Sequence, residues 1–256
     1  MIEPKRNIKR SVKFTRCYKC FRPNKLCLCS YVIPLKTSTK FVILMHPKEF
    51  KEERVGTGKL TSLQLQNSEI IVGVNFDESK RVVDLIRNEQ NSCFVLYPTE
   101  DSLNLSSSSQ KIKNKKELSK KANNVVFIID GTWFFAKKMM ASSKCLQTLK
   151  AISFDSNIVS KFTFKQQPYK YCLSTIESVK FVLDSLVELE CETIDTSSFL
   201  LPLEKLTEQQ IYFQMNPPKG SYRSQKIDSQ NTVNKTNYKS KSSRNLIFKK
   251  EKPSEC

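Results

Sequence analysis

Four cysteines fall within thirteen residues, in the pattern Cys17-x2-Cys20-x6-Cys27-x-Cys29. Thiolates this close in sequence can close a tetrahedron around zinc with little loop-closure entropy. The C-x-x-C pair is the usual half-site, and the tighter C-x-C pair completes it. Four protein thiolates leave no open coordination position, so the spacing predicts a structural centre and not a catalytic one. An iron–sulfur cluster takes the same donors and is the alternative. The other five cysteines, Cys93, Cys145, Cys172, Cys191 and Cys256, are scattered singly and read as free thiols of a reducing compartment.

A second constellation is Asp130-Gly131-Thr132-Trp133, which follows an apolar run and opens an amphipathic one. Taken alone it reads first as an N-capping aspartate with a core tryptophan. The functional alternative is a carboxylate at a strand end, beside a helix N-terminus, that faces a ligand. His46, the one histidine of the chain, closes the apolar run 41–45. A lone histidine there is as often a satisfied polar group as a site.

Strands must end beneath these groups to position them. The runs 41–45, 70–74, 93–97 and 125–129 are short, apolar and partly β-branched, as buried parallel strands are. Helical spacing places Val82, Leu85 and Ile86 on one face of 78–90. Residues 133–141 are a further helix, with Phe134-Phe135 and Met139-Met140 read as core. In 176–190, Ile176, Val179, Val182, Leu183, Leu186 and Leu189 follow i, i+3, i+4, i+7 spacing, and Ser174 or Thr175 with Glu177 gives a capped, acidic first turn. Residues 203–215 are one more helix, and the Ser- and Lys-rich stretch 101–121 reads as an exposed loop. Alternating strands and helices predict an α/β fold, a mostly parallel sheet with flanking helices. Such sheets bind ligands at the carboxyl ends of their strands, where His46-Pro47, Tyr97-Pro98 and Asp130-Gly131 fall.

The formal net charge is +18, and three segments hold nearly all of it. Residues 1–16 and 110–121 carry about +5 each, and 217–256 about +7. A polyanion, nucleic acid by default, is the expected partner. Five glycines, none in a G-x-G-x-x-G or Walker A arrangement, exclude a Rossmann dinucleotide loop and a P-loop. No run approaches the ~18 apolar residues of a membrane span, and the basic N-terminus lacks an apolar h-region. The expected organisation is a basic arm (1–16), a four-cysteine zinc module (17–36), an α/β domain (37–215) and a basic disordered tail (216–256). The expected location is the cytoplasm, with no membrane and no obligate protein partner.

The sequence resembles the DTW-domain tRNA-uridine aminocarboxypropyltransferase family. Asp130, Thr132 and Trp133 match the motif that names it, with Gly131 in the variable place. Cys17-x2-Cys20-x-Arg22-Pro23-x3-Cys27-x-Cys29 is similar to the family's cysteine module. His46-Pro47-x-Glu49, Thr57-Gly58-x-Leu60, Asn67-Ser68-Glu69, Leu96-Tyr97-Pro98 and Leu173-Ser174-Thr175-x-Glu177 follow in family order, and the resemblance covers roughly residues 6–190. Each motif is weak singly; joint order and spacing make the match specific. Gly56 and Lys59 stand where the family usually has asparagine and arginine, and Lys165 stands where it has another arginine. Lysine keeps the charge and loses the bidentate fork.

The resemblance implies transfer of the 3-amino-3-carboxypropyl group of S-adenosylmethionine to N3 of a tRNA uridine, in the variable loop rather than the D loop, with methylthioadenosine released. It also implies a SPOUT-like domain with a C-terminal trefoil knot. Asp130, Thr132 and Trp133 would then be catalytic. Leu96, Tyr97, Pro98, Leu173, Ser174, Thr175 and Glu177 would hold the co-substrate with Asp130 and Trp133. His46, Thr57, Lys59 and Lys165 would meet RNA, and Cys17, Cys20, Cys27 and Cys29 would bind zinc. An rRNA aminocarboxypropyltransferase and a zinc-containing RNA-binding protein without catalysis are the competing readings.

Overall fold

The computed structural model describes residues 16–52, 56–119, 121–155, 160 and 173–216. The chain divides into two units, Met1–Tyr212 and Phe213–Cys256. Of the second, only the end of one helix and Asn216 are described. The basic arm, the disordered tail and the knot were expected largely on residues outside the described ones.

Among the described residues, six strands form one sheet: β1 (Lys40–Met45), β2 (Ser68–Val72), β3 (Asn91–Leu96), β4 (Leu103–Asn104), β5 (Asn123–Asp130) and β6 (Lys150–Ser153). Their order is β2-β1-β5-β3-β6-β4, and every pair is parallel. Helices α1 (Pro47–Glu52), α2 (Thr57–Gln64), α3 (Lys80–Arg87), α4 (Lys111–Leu118), α5 (Trp133–Ser142), α6 (Lys144–Gln147), α7 (Thr175–Glu188) and α8 (Leu201–Met215) connect or cover them. The four apolar runs all became strands; β1, β3 and β5 are largely buried on both faces, and β2 lies half-buried at the edge of the sheet.

Alternation along the central strands builds two cores. Phe41, Phe94, Val126 and Ile128 face α2, α7 and α8. Val42, Leu44, Val95, Val125 and Phe127 face α3, α5 and α6. On α7, Ile176, Val179, Val182, Leu183 and Leu186 are fully buried, each stabilising the fold by roughly 1.5–3 kcal/mol. The stretch 101–121, expected as a loop, holds β4 and α4 instead. Leu103, Leu105 and Leu118 anchor it in the first core. Lys111 and Lys115 pair with Glu188 and Glu190 at the end of α7.

The sheet has its switch point between β1 and β5. The connection from β1 runs through α2 on one face toward β2. The connection from β5 runs through α5 and α6 on the other face toward β6. The diverging loops leave a crevice above the carboxyl ends of β1 and β5, where open α/β sheets bind ligands.

Gln64 ties three segments together. Its fully buried side chain accepts from the Ile33 N–H at 2.8 Å and donates to the Phe199 carbonyl at 2.7 Å. Gln64→Ala leaves these groups unpaired and is expected to cost about 2–3 kcal/mol. Urea titration should show a lower midpoint at unchanged slope; an unchanged midpoint would refute the role.

Candidate functional site

Parallel pairing of β1 with β5 puts Met45 opposite Asp130. The His46 N–H donates to the Asp130 carbonyl at 2.9 Å, so both residues stand side by side at the sheet's edge. The Asp130 side chain is 6% exposed, and its Oδ1 accepts from Thr175 Oγ1 at 2.5 Å. On the other side lies Gly58 in the first turn of α2. A Cβ there would stand 2.4 Å from Asp130 Oδ2, so only glycine lets the helix come this close. The first turns of α2, α5 and α7 therefore converge on one carboxylate. Helix N-termini carry positive partial charge, which suits an anionic group placed beside them.

Asp130 is not the N-cap of α5. That position belongs to Thr132, whose Oγ1 accepts from the Phe135 N–H at 3.4 Å. Trp133 is not core but 39% exposed, and Phe134, also expected in the core, is 74% exposed. The helix turns its Ala136 and Met139 inward instead. Phe135 stacks on His46, with ring centroids 3.9 Å apart and planes 10° from parallel. His46 Nδ1 accepts from the Lys48 N–H at 3.2 Å. Burial pushes its pKa below the ordinary value, against the nearby Glu49 carboxylate that raises it, so the imidazole is neutral at physiological pH.

Ser174 caps α7 in a capping box with Glu177. Glu177 is buried, and its Oε2 accepts from Ser174 N–H at 2.8 Å, Ser174 Oγ at 2.6 Å and Ser160 Oγ at 2.7 Å. The carboxylate thus fixes the turn that presents Thr175 to Asp130. Leu96 ends β3, one strand from Asp130, and the Tyr97 N–H continues the sheet to the Ile152 carbonyl at 3.1 Å. Burial raises the Tyr97 phenol pKa. Pro98 is exposed; Leu173 is half-buried just before the α7 cap. Thr57 opens α2, and its carbonyl accepts from Thr61 Oγ1 at 2.8 Å. The Lys59 ammonium donates to the Phe50 carbonyl at 2.9 Å and lies over the Phe50 and Phe21 rings. Lys165 lies outside the described residues. Gly58 entered from sequence only within the Thr57-Gly58-x-Leu60 match, and the Phe135–His46 stack not at all, because neither a close approach nor a ring contact has a spacing signal.

The four cysteines of the N-terminal module come together, their sulfurs all within 4.8 Å of one another. Cys17 and Cys29 are 3.6 Å apart, and Cys20 and Cys27 3.7 Å. A tetrahedron with metal–sulfur bonds of about 2.3 Å has edges of about 3.8 Å, so these residues could hold one metal ion. The N–H groups of Cys20 and Lys19 bring the Cys17 thiol down to about 6. Arg22 supplies an independent test of the fit. It is 3% exposed, and its Nε and Nη1 have no hydrogen-bond partner among the described residues. Burial pulls its pKa down, while charge on Cys20 and Cys27 raises it. Neutral thiols would leave this guanidinium uncompensated; four thiolates around a divalent ion carry the opposing charge. Leu28, fully buried in the first core, seats the module on the domain.

The DTW domain family matches residues 14–211. The chain belongs to that family. As a DTW-domain protein it is 30% identical over 202 residues to tRNA-uridine aminocarboxypropyltransferase 2 of Mus musculus, which covers 76% of this chain and 63% of the mouse protein. The enzyme of the same name from Drosophila melanogaster is 30% identical over 205 residues, covering 77% of this chain and 75% of its own. Identity to tRNA-uridine aminocarboxypropyltransferase A of Arabidopsis thaliana is 24% over 241 residues, 84% of this chain and 88% of the relative. The chain thus spans less than two thirds of the mouse relative's length. No solved structure matches. Among the described residues, no helix is long and apolar enough to cross a membrane.

Two outcomes follow for this DTW domain. Because the chain has one histidine, its ring proton gives a single NMR titration. The midpoint is expected below about 6.5, and Phe135→Ala, which uncovers one ring face, should move it up toward that value. A wild-type midpoint above 6.5 overturns the assignment. Metal analysis should find one ion per chain, and Cys20→Ser should lose it with a lower melting temperature; an equally stable, metal-free wild type would refute the centre.

Proposed function

We propose that this DTW-domain protein transfers a 3-amino-3-carboxypropyl group from S-adenosylmethionine to N3 of a tRNA uridine in the cytoplasm, with a variable-loop uridine preferred over a D-loop one and zinc in the four-cysteine site. The observation that carries the reading is Asp130, a buried carboxylate at the switch point of the sheet, held by Thr175 and met by three helix N-termini. Family membership supports the reaction class, and the net charge of +18 supports a polyanionic substrate.

The donor's sulfonium supplies an activated carbon: the new N3–carbon bond forms as the sulfur–carbon bond breaks, and its electron pair leaves on neutral methylthioadenosine. Uridine N3 carries a proton and is a poor nucleophile while it does. Asp130 is assigned to accept that proton, or to orient the group that does. Thr175 holds one carboxylate oxygen, which leaves the side chain a single orientation. Trp133, half-exposed beside it, offers an indole face that attracts a sulfonium cation or stacks on uracil. The first-turn N–H groups of α7 suit the donor's carboxylate, and Glu177 keeps that turn in shape. Leu96, Tyr97, Pro98 and Leu173 border the same strand ends and are assigned to the adenosine. His46, Thr57, Lys59 and Lys165 are assigned to the RNA side. With Nδ1 accepting from the Lys48 N–H, a neutral His46 keeps its Nε2–H to donate to a base edge.

The test is mass spectrometry of nucleosides from unmodified tRNA incubated with the protein and S-adenosylmethionine. A uridine gaining the aminocarboxypropyl mass, with methylthioadenosine released, is the expected product; a methylated nucleoside would overturn the choice of transferred carbon. Asp130→Asn should lower the rate by about 10²- to 10⁴-fold. Gly58→Ala, which drives a methyl group against the same carboxylate, should lose a comparable factor. Full activity in both variants would remove Asp130 from the mechanism.

A further inference from the structure

Phe21 follows the second cysteine of the metal module and has φ 57°, in the left-handed region. A bulky residue there is strained, and glycine is the residue that fits without cost. The turn that imposes this conformation is closed by Phe21 N–H donating to the Cys17 carbonyl and Cys17 N–H to the Arg22 carbonyl, both at 2.8 Å. The strained backbone does not serve to bury the ring, because Phe21 is 55% exposed. The phenyl group is held outward where a glycine would stabilise the turn.

The ring also has neighbours of one kind. The Lys59 ammonium lies 5.7 Å from the Phe21 centroid and 4.7 Å from that of Phe50, which is 47% exposed. Lys59 is pinned there by its bond to the Phe50 carbonyl. The Phe50 N–H in turn donates to the carbonyl of His46 at 3.1 Å, at the edge of the crevice. Two exposed rings flanking one cation thus run from the cysteine module to the end of β1, whose neighbour β5 carries Asp130.

We propose that Phe21 and Phe50, bridged by Lys59, form a stacking platform for an unpaired tRNA nucleotide beside the target uridine. This rests on the tRNA reading above. Exposed rings stack on any base whatever its sequence, and an adjacent ammonium meets the phosphate that links stacked nucleotides. Single-stranded loops, whose bases are free to splay out, are the RNA elements that suit such a surface. The charge of the chain favours RNA over a second protein as occupant. The four-cysteine module thereby acts as half of the RNA surface, in addition to its structural part.

The test uses full-length, metal-loaded protein and measures three quantities for each variant: melting temperature, metal content and affinity for unmodified tRNA. Phe21→Gly should keep its metal and melt no lower than wild type, while losing about 5- to 150-fold in tRNA affinity. Phe21→Tyr should retain affinity, and Phe50→Ala should lose a comparable factor. Ile112→Ala, on the exposed side of α4, is the surface control. Wild-type affinity in both Phe21→Gly and Phe50→Ala would overturn the platform. The transferase reading fails separately: if wild-type protein binds tRNA but transfers nothing, the affinities still decide the platform. If wild type does not bind tRNA, the platform falls with it.

Discussion

The register between β1 and β5 is the constraint on which the site depends. Met45 opposite Asp130 puts the ends of two central strands level, and the two connections then leave on opposite faces. A one-residue slip would turn Asp130 into the sheet's other face and carry His46 away from it. The apolar run on both faces of each strand is what fixes the register, since any shift would exchange the contents of the two cores. Chemistry at the strand end is therefore specified by hydrophobic residues that never touch a ligand.

The convergence of three helix starts on Asp130 has a physical logic of its own. A buried carboxylate needs compensation, and the hydroxyl of Thr175 and the nearby helix N-termini contribute to it. The absence of a side chain at Gly58 allows α2 to take part, and the Ser174–Glu177 box allows α7 to do so. The cysteine module sets a buried arginine beside its four sulfurs.

The strands were legible because a run such as Phe41 to Met45 can only be buried, and α7 was legible because six apolar residues repeat at helical spacing. The cysteine cluster was legible from spacing alone. Other elements carried weak signals. α4 presents one buried leucine, Leu118, among lysines, so its pattern is that of a solvated loop. α2 buries Thr61 and Gln64, and the partners of Gln64 lie far along the chain. Phe134 reads as core because phenylalanine usually is, whereas the inward face of the helix is set by Ala136 and Met139. The position of Lys59 depends on Phe21 and Phe50, and no local periodicity connects those three residues.

The topology also orders the steps by which the chain acquires its shape. β5 pairs with both β1 and β3, so the two earlier strands have no mutual contact to hold them until residue 130 has been made. During synthesis β1 and β3 each wait with an unpaired apolar edge, a state in which parallel sheets are slow to form and exposed to aggregation. The cysteine module has no such delay, because its donors lie within thirteen residues of one another. Its loop can close before the central strands have been made, and Leu28, within that loop, packs in the same core as Phe41 of β1.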